Sequence, residues 1–209
     1  MSSLQLYVDS QYASPWAMSC FVVLQEKSIA AEVVPVDLGA AENKRPEFAK
    51  KSRTQRIPAL VDGDFSLSES TAICEYLEDH FPEIAILPRD KKIKALARQV
   101  QAWIRSDMMA LRKERPTEVI FYRKQFEPLS NEALAAAQKL FAVIDTLLAP
   151  GGKNLFGEWC IADTEVALML QRLLKHGDPL PAHLAAYAES QWQRPSVQLW
   201  LNQQRPALV

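Results

Sequence analysis

Ile57-Pro58-Ala59-Leu60-Val61-Asp62-Gly63-Asp64-Phe65-Ser66-Leu67-Ser68-Glu69-Ser70-Thr71 is the stretch that decides the fold. Two short β-rich runs, 57–61 and 65–68, flank Asp62-Gly63-Asp64. Asp-Gly between such runs predicts a hairpin, because the turn needs residues that tolerate positive φ. Proline at the start of the first run leaves no central ladder bond unmade. A helix follows directly: Ser68 reads as its cap and Glu69 as the acid that a helix dipole favours in the first turn. Ile73, Tyr76 and Leu77 then share one face of a helix that ends at His80.

Upstream, Leu4, Leu6 and Val8 alternate with Gln5 and Tyr7, as a short strand should. A helix starts at Ser14-Pro15 and turns Ala17, Cys20, Phe21 and Leu24 to one buried face. The Val-rich run 32–38 reads as a second strand, and the charged run 42–51 as a short, irregular helix. The order is β-α-β, a connecting segment, a β-hairpin and a final helix. That is the order of a thioredoxin-like domain.

Downstream, Phe81-Pro82 and Leu87-Pro88 bracket a break, and everything beyond it reads as helix. Ile93, Leu96, Val100, Ile104, Met108 and Leu111 predict one long helix. Leu134 to Leu148 predicts a second, stopped by Pro150-Gly151-Gly152, and Ile161 to Leu174 a third, closed by His176-Gly177. Weaker helical patterns cover 181–193 and 195–203. The expected fold class is an α/β thioredoxin-like N-terminal domain (residues 1–82), a linker (83–90) and an all-α C-terminal domain (91–209).

Composition narrows the function. Of 209 residues 48% are hydrophobic, enough for a substantial core, and the formal net charge of −1 gives no global field for nucleic acid or an anionic membrane. Cys20, Cys74 and Cys160 lie far apart, without Cys-x-x-Cys or metal-type spacing, as suits a reducing compartment. The stretch Met1-Ser2-Ser3-Leu4-Gln5-Leu6-Tyr7 lacks the pattern of a signal peptide, and no apolar run reaches the ~18 residues of a membrane span. The expectation is a soluble cytoplasmic protein with no metal.

Three short motifs can carry chemistry, and each also has a structural reading. Ser14-Pro15 makes a good helix start, yet a helix N-terminus gathers unpaired N–H donors that favour an anion such as a thiolate. Ser14 could donate its O–H to that sulfur; Ser10 and Tyr12 are weaker candidates in the same loop. Ile57-Pro58 can simply open a strand, or a cis peptide there can leave the Ile57 main chain open to an added strand of ligand. Glu69-Ser70 can be a helix start, or a carboxylate beside a helix N-terminus. The second arrangement suits an α-amino acid group, with Glu69 taking its ammonium and Ser70 its carboxylate.

Taken in this order, the motifs make the chain resemble the cytosolic glutathione transferase family. The resemblance rests on Ser14-Pro15-Trp16, Ile57-Pro58, the run from Asp62 to Ile73, Tyr76-Leu77 and Ala162-Asp163. The runs from Gln101 to Asp107, Glu114 to Thr117 and Phe156 to Asp163 look closest to the bacterial YfcF-type group. The resemblance implies a transferase that activates the glutathione thiol for attack on electrophiles or on peroxides, and a homodimer. Ser14 would activate the thiol, Ile57 would pair with the cysteinyl backbone, and Glu69 with Ser70 would hold the γ-glutamyl end. Lys44 would take the glycine carboxylate, with Lys50, Arg53 and Arg56 as nearby alternatives. The electrophile site would lie between the Ser14 loop and the long helix of the second domain. Asp163 would fold its helix, with Cys160 where the family usually caps with Ser or Thr, leaving the capping box incomplete. Tyr7 reads as structural. Two rivals remain open: a glutaredoxin-type oxidoreductase, which would need cysteine where Ser14 stands, and a non-enzymatic ligand-binding or assembly module of the same fold.

Overall fold

The computed structural model describes residues 4–208; Met1, Ser2 and Ser3, part of the opening stretch 1–7, and Val209, the end of the expected second domain, lie outside the described residues. The chain divides into two compact units, Met1–Ile86 with Pro195–Val209, and Leu87–Arg194.

The first unit is built on four strands, β1 (Leu4–Asp9), β2 (Ala31–Val36), β3 (Ala59–Asp62) and β4 (Phe65–Ser68), in the spatial order β2-β1-β3-β4. β2 runs parallel to β1 through the crossover helix α1 (Pro15–Glu26), and β3 and β4 are antiparallel. Strand alternation sends Leu6 and Val8 to one face, where both are fully buried. Tyr7 and Ala59 face the other way into a small core with Val36 and Phe48, the last supplied by the short helix α2 (Pro46–Ala49).

The Asp-Gly hairpin forms with Asp62 paired to Phe65, so the two-residue turn is Gly63-Asp64. Gly63 takes φ +61° while Asp64 stays at negative φ, the pattern of a type II′ turn. The helix α3 (Ser70–His80) begins one residue later than the Ser68 cap predicts. Ser68 Oγ instead accepts from Thr54 Oγ1 at 3.2 Å, and Glu69 occupies the cap position without a side-chain cap bond. The buried Lys27–Glu78 pair (2.8 Å) closes the far end of this unit. Lys27 Nζ also donates to the carbonyls of Phe81 and Ile84, and Glu78 accepts the Ile86 N–H, so the break after α3 is pinned by a fully paired charge.

The last helix, α10 in chain order (Pro195–Leu201), falls with the first compact unit. It packs on α1: the Trp200 ring lies 5.3 Å from Phe21 and Ser196 Oγ donates to Glu26 at 2.5 Å. The reason is that α1 is apolar on nearly all sides, with Pro15 and Ala17 to Leu24 buried, and needs a cover beyond the sheet and α3.

The second unit comprises α4 (Lys91–Ser106), α5 (Met109–Glu114), α6 (Thr117–Tyr122), α7 (Asn131–Leu147), α8 (Ile161–His176) and α9 (Ala182–Trp192). The expected single helix from Ile93 to Leu111 is broken at Asp107-Met108. Asp107 spends its carboxylate on Trp103 Nε1 and Lys139, as an aspartate at a helix end does. Met108 and Leu111 remain fully buried on either side of the break. α8 is the central helix, buried from Ile161 to Leu173. Glu165 on α8 receives both guanidinium nitrogens of Arg105 at 2.6 Å, and Arg115 grips Asp178 at 2.6 and 2.8 Å. The runs 101–107 and 114–117 thus include residues that bind this unit together.

At the head of α8 the capping box is closed, contrary to expectation, because the Cys160 sulfur serves where serine would. Asp163 accepts the N–H of Leu155 (2.7 Å) and Cys160 (2.9 Å) and the Tyr187 hydroxyl (2.9 Å). Asp163→Ala should therefore cost about 3 kcal/mol or more, since three donors lose their partner and two are buried backbone groups; urea denaturation reads this directly. A second outcome follows from Tyr76, whose hydroxyl donates to Asp62 at 2.8 Å. Burial, then this bond, pushes its pKa from 10.0 to about 12. Its folded pKa lies above its unfolded one, so its contribution is complete below about pH 10 and is lost as pH rises through about 12. Tyr76→Phe should flatten that part of the stability–pH curve.

Candidate functional site

Strand register gathers the site. Tyr7 stands beside Ala59, Ala59 beside Ser68, and Asp9 beside Val36. The ends of β1, β2 and β4 and the start of β3 therefore share one edge of the sheet. From that edge leave the loop to Ser14, the Ile57-Pro58 dipeptide, the Glu69-Ser70 turn and the segment holding Lys44. Asn43 Nδ2 donates to the Gln55 carbonyl at 2.8 Å, tying the Lys44 turn to the segment before Ile57. The Cys20 thiol, buried on α1, donates to the Ser70 carbonyl at 3.6 Å and ties α1 to the head of α3.

Ser14 is the N-cap of α1, in extended backbone, with Pro15 at the first helical position. Its Oγ accepts the Ala17 N–H at 3.3 Å, a long bond that leaves the hydroxyl proton free to be donated. The loop itself is held by Asp9: Oδ2 accepts the Ala13 N–H at 2.7 Å and Oδ1 the Ser14 N–H at 3.0 Å. Sequence reasoning passed over Asp9. The available signal was an acid at a strand end, five residues before a helix cap.

The Ile57–Pro58 peptide is cis. Among the described residues none hydrogen-bonds to the Ile57 N–H or C=O, so this piece of main chain offers one donor and one acceptor. Glu69 stands at φ +75° and ψ 114°, a conformation costly for any residue with a side chain and often found at ligand sites, where it costs about 1–3 kcal/mol. Its carboxylate is exposed, whereas Ser70 is buried at the first position of α3. One carboxylate and one helix N-terminus thus stand side by side.

Lys44, Lys50, Arg53 and Arg56 are all exposed and make no ion pair among the described residues. Tyr7 is a core residue: its hydroxyl donates to Gln5 at 2.9 Å and accepts from Lys51 at 2.6 Å. Tyr12 turns at φ +49° and sets its ring against Trp200. Farther along the chain, Met108 is fully buried core and the Trp103 indole N–H is tied to Asp107. Among the described residues no group of three His, Cys, Asp or Glu side chains could hold a metal ion, and no helix is long and apolar enough to cross a membrane.

A thioredoxin-like sheet domain and a helical domain, with helix N-termini gathered at one sheet edge, define the class of protein. Residues 4–79 match the family described as glutathione S-transferase, N-terminal domain, and residues 90–204 the family described as glutathione S-transferase, C-terminal domain. The chain belongs to the glutathione S-transferase family. A glutathione transferase homolog from Burkholderia GL BGR1, solved with bound glutathione, is 42% identical, with a TM-score of 0.76 over 95% of this chain and 96% of that one. Glutathione S-transferase 3 of Zea mays is 30% identical over 96% of this chain and 88% of that protein. A zeta class glutathione S-transferase of Euphorbia esula is 38% identical over 52% of this chain and 47% of that protein. The chain thus spans about half the length of this last relative.

The strained cap gives a test of the geometry. Glu69→Gly should raise stability by about 1 kcal/mol by relieving the backbone strain at φ +75°, and thermal melts read this directly.

Proposed function

We propose that the protein is a serine-type glutathione transferase of the YfcF-type group, with Ser14 as the residue that activates the thiol. The observation that carries this is the position of Ser14: its hydroxyl caps α1, and its main chain is fixed by Asp9. A free thiol of cysteine type has a pKa of about 8.5 and is mostly protonated at neutral pH. Bringing it to about 6.5 takes about 2.7 kcal/mol of preference for the thiolate. A hydrogen bond to a charged acceptor supplies about 1.5–3 kcal/mol. A helix N-terminus supplies about 0.3–1, rising to about 2 when partly buried. The two together suffice without a cation beside the sulfur, and Ser14 keeps its own proton.

In this reading the tripeptide lies along the sheet edge. The Ile57 N–H and C=O pair with its cysteinyl residue, the Glu69 carboxylate takes the α-ammonium, and the head of α3 at Ser70 takes the γ-glutamyl carboxylate. Lys44 takes the glycine carboxylate. The thiolate attacks an electrophilic carbon; the S–C bond forms as the leaving group departs with its electron pair. The same thiolate attacking a hydroperoxide would form an S–O bond as the O–O bond breaks and the alcohol leaves, and a second glutathione would displace water from that sulfenic acid to give the disulfide.

Three buried free cysteines, Cys20, Cys74 and Cys160, suit a cytoplasmic setting. A homodimer belongs to the same reading. Exposed Phe65 lies tilted against Tyr76, and Tyr76 stacks on His80, giving the first unit an aromatic face to bury.

Ser14→Ala decides the central role. Turnover with a chromogenic electrophile at neutral pH should fall about 10- to 100-fold, the equivalent of one charge-assisted hydrogen bond. Glutathione should still bind with nearly the same affinity. Unchanged turnover would remove Ser14 from the mechanism, and an inactive wild-type protein that still binds glutathione would leave a ligand-binding module.

A further inference from the structure

We propose that Asp9 and Arg205 are positioning residues for the thiol reaction, clamping the Tyr12–Ser14 loop from its inner and outer sides so that the Ser14 hydroxyl is aimed. The inference rests on the role proposed for Ser14. Neither side chain is placed to touch substrate; both act through the loop.

The loop has little of its own to hold it. It belongs to no strand or helix, and the bond from Ala17 N–H to Ser14 Oγ is long at 3.3 Å. Tyr12, a non-glycine residue, stands at φ +49°, which persists only where neighbours fix it. Inside, the Asp9 side chain is buried and both its oxygens are spent on the loop, at Ala13 N–H and Ser14 N–H. The Tyr12 N–H bonds the Asp9 carbonyl at 2.9 Å, so one residue binds three successive amides of the loop.

Outside, Arg205 Nε donates to the Tyr12 carbonyl at 3.2 Å. Its other two nitrogens bind the carbonyls of Trp200 (2.9 Å), Leu201 (2.7 Å) and Gln203 (3.2 Å). A cation in that place satisfies the open C-terminal end of α10. The guanidinium thereby bridges a fixed helix end to the loop, and Trp200 sets its ring edge-on to Tyr12 at 5.7 Å. α10 in turn is fastened to α1. The loop is therefore aimed before any ligand arrives.

Charge alone predicts the reverse outcome for Asp9. A buried carboxylate near the helix mouth disfavours a neighbouring thiolate, so deleting its charge without moving the loop would lower the thiol pKa. Loosening the loop would raise it. The sign of the shift separates positioning from simple electrostatics.

The test uses the full chain with glutathione and a chromogenic electrophile. Ser14→Ala, Asp9→Asn, Arg205→Gln, Arg205→Lys and the Asp9→Asn/Ser14→Ala double variant are compared by kcat, glutathione KM and the pH profile of kcat/KM. Asp9→Asn and Arg205→Gln should each lower kcat roughly 10-fold, leave KM for glutathione nearly unchanged, and move the acid limb to higher pH. Arg205→Lys should not rescue, because one ammonium cannot span the loop and the helix end. The double variant should be no slower than Ser14→Ala, since residues acting through Ser14 lose nothing further without it. An acid limb moved to lower pH in Asp9→Asn, an unmoved profile in both single variants, or multiplied losses in the double variant would overturn the proposal. If Asp9→Asn does not fold, Arg205→Gln and its double variant with Ser14→Ala decide the question by the same readouts. A profile unmoved by Ser14→Ala itself would instead sink the reading on which the clamp rests.

Discussion

Tyr7, Ala59 and Ser68 stand abreast across three strands, and Asp9 stands beside Val36 on the fourth. That register brings residues 14, 44, 57 and 69 to one edge of the sheet although more than fifty positions separate the first from the last. It is held by the core on each face. Sliding β3 by one residue would turn Ala59 away from Tyr7 and Phe48 and drive the larger, fully buried Leu60 from its own face into theirs. Packing of the sheet and assembly of the site are thus one requirement.

The molecule separates two uses of charge. Several structural ions are held in close pairs at or near the core: Lys27 with Glu78, Arg105 with Glu165, Arg115 with Asp178. Breaking such a pair strands a charge in low dielectric, which makes these contacts selective for one arrangement. At the candidate site the polarity comes from helix ends and main-chain groups. The mouths of α1 and α3 each favour an anion, and among the described residues nothing pairs with the Ile57 backbone donor and acceptor. Asp9 stands between the two uses, a buried ion spent entirely on shaping the loop.

Local chemistry was legible in the sequence, and tertiary choices were not. The hairpin at Asp62-Gly63-Asp64, the Ser14-Pro15 helix start and the break after His80 are written in adjacent residues, and the structure bears each of them out. The helix broken at Asp107-Met108 reads as continuous in sequence because the buried positions Ile104, Met108 and Leu111 keep helical spacing through the break. α10 groups with the helices before it, since nothing local records that Trp200 covers α1. Glu69 gives no warning of its positive φ, which glycine or asparagine would have signalled. Cys160 escapes as a cap because sulfur is a poor acceptor outside such an enforced geometry. Arg205 lies 193 positions from Tyr12, beyond any pattern that a local reading can see.

The chemistry comes down to where one sulfur sits. A crystal structure of the protein with reduced glutathione measures this most directly. The expected result is a cysteinyl sulfur within hydrogen-bonding reach of Ser14 Oγ, with the cysteinyl main chain paired to Ile57. A sulfur directed away from Ser14, with the tripeptide still bound along the same sheet edge, would contradict the role of that hydroxyl.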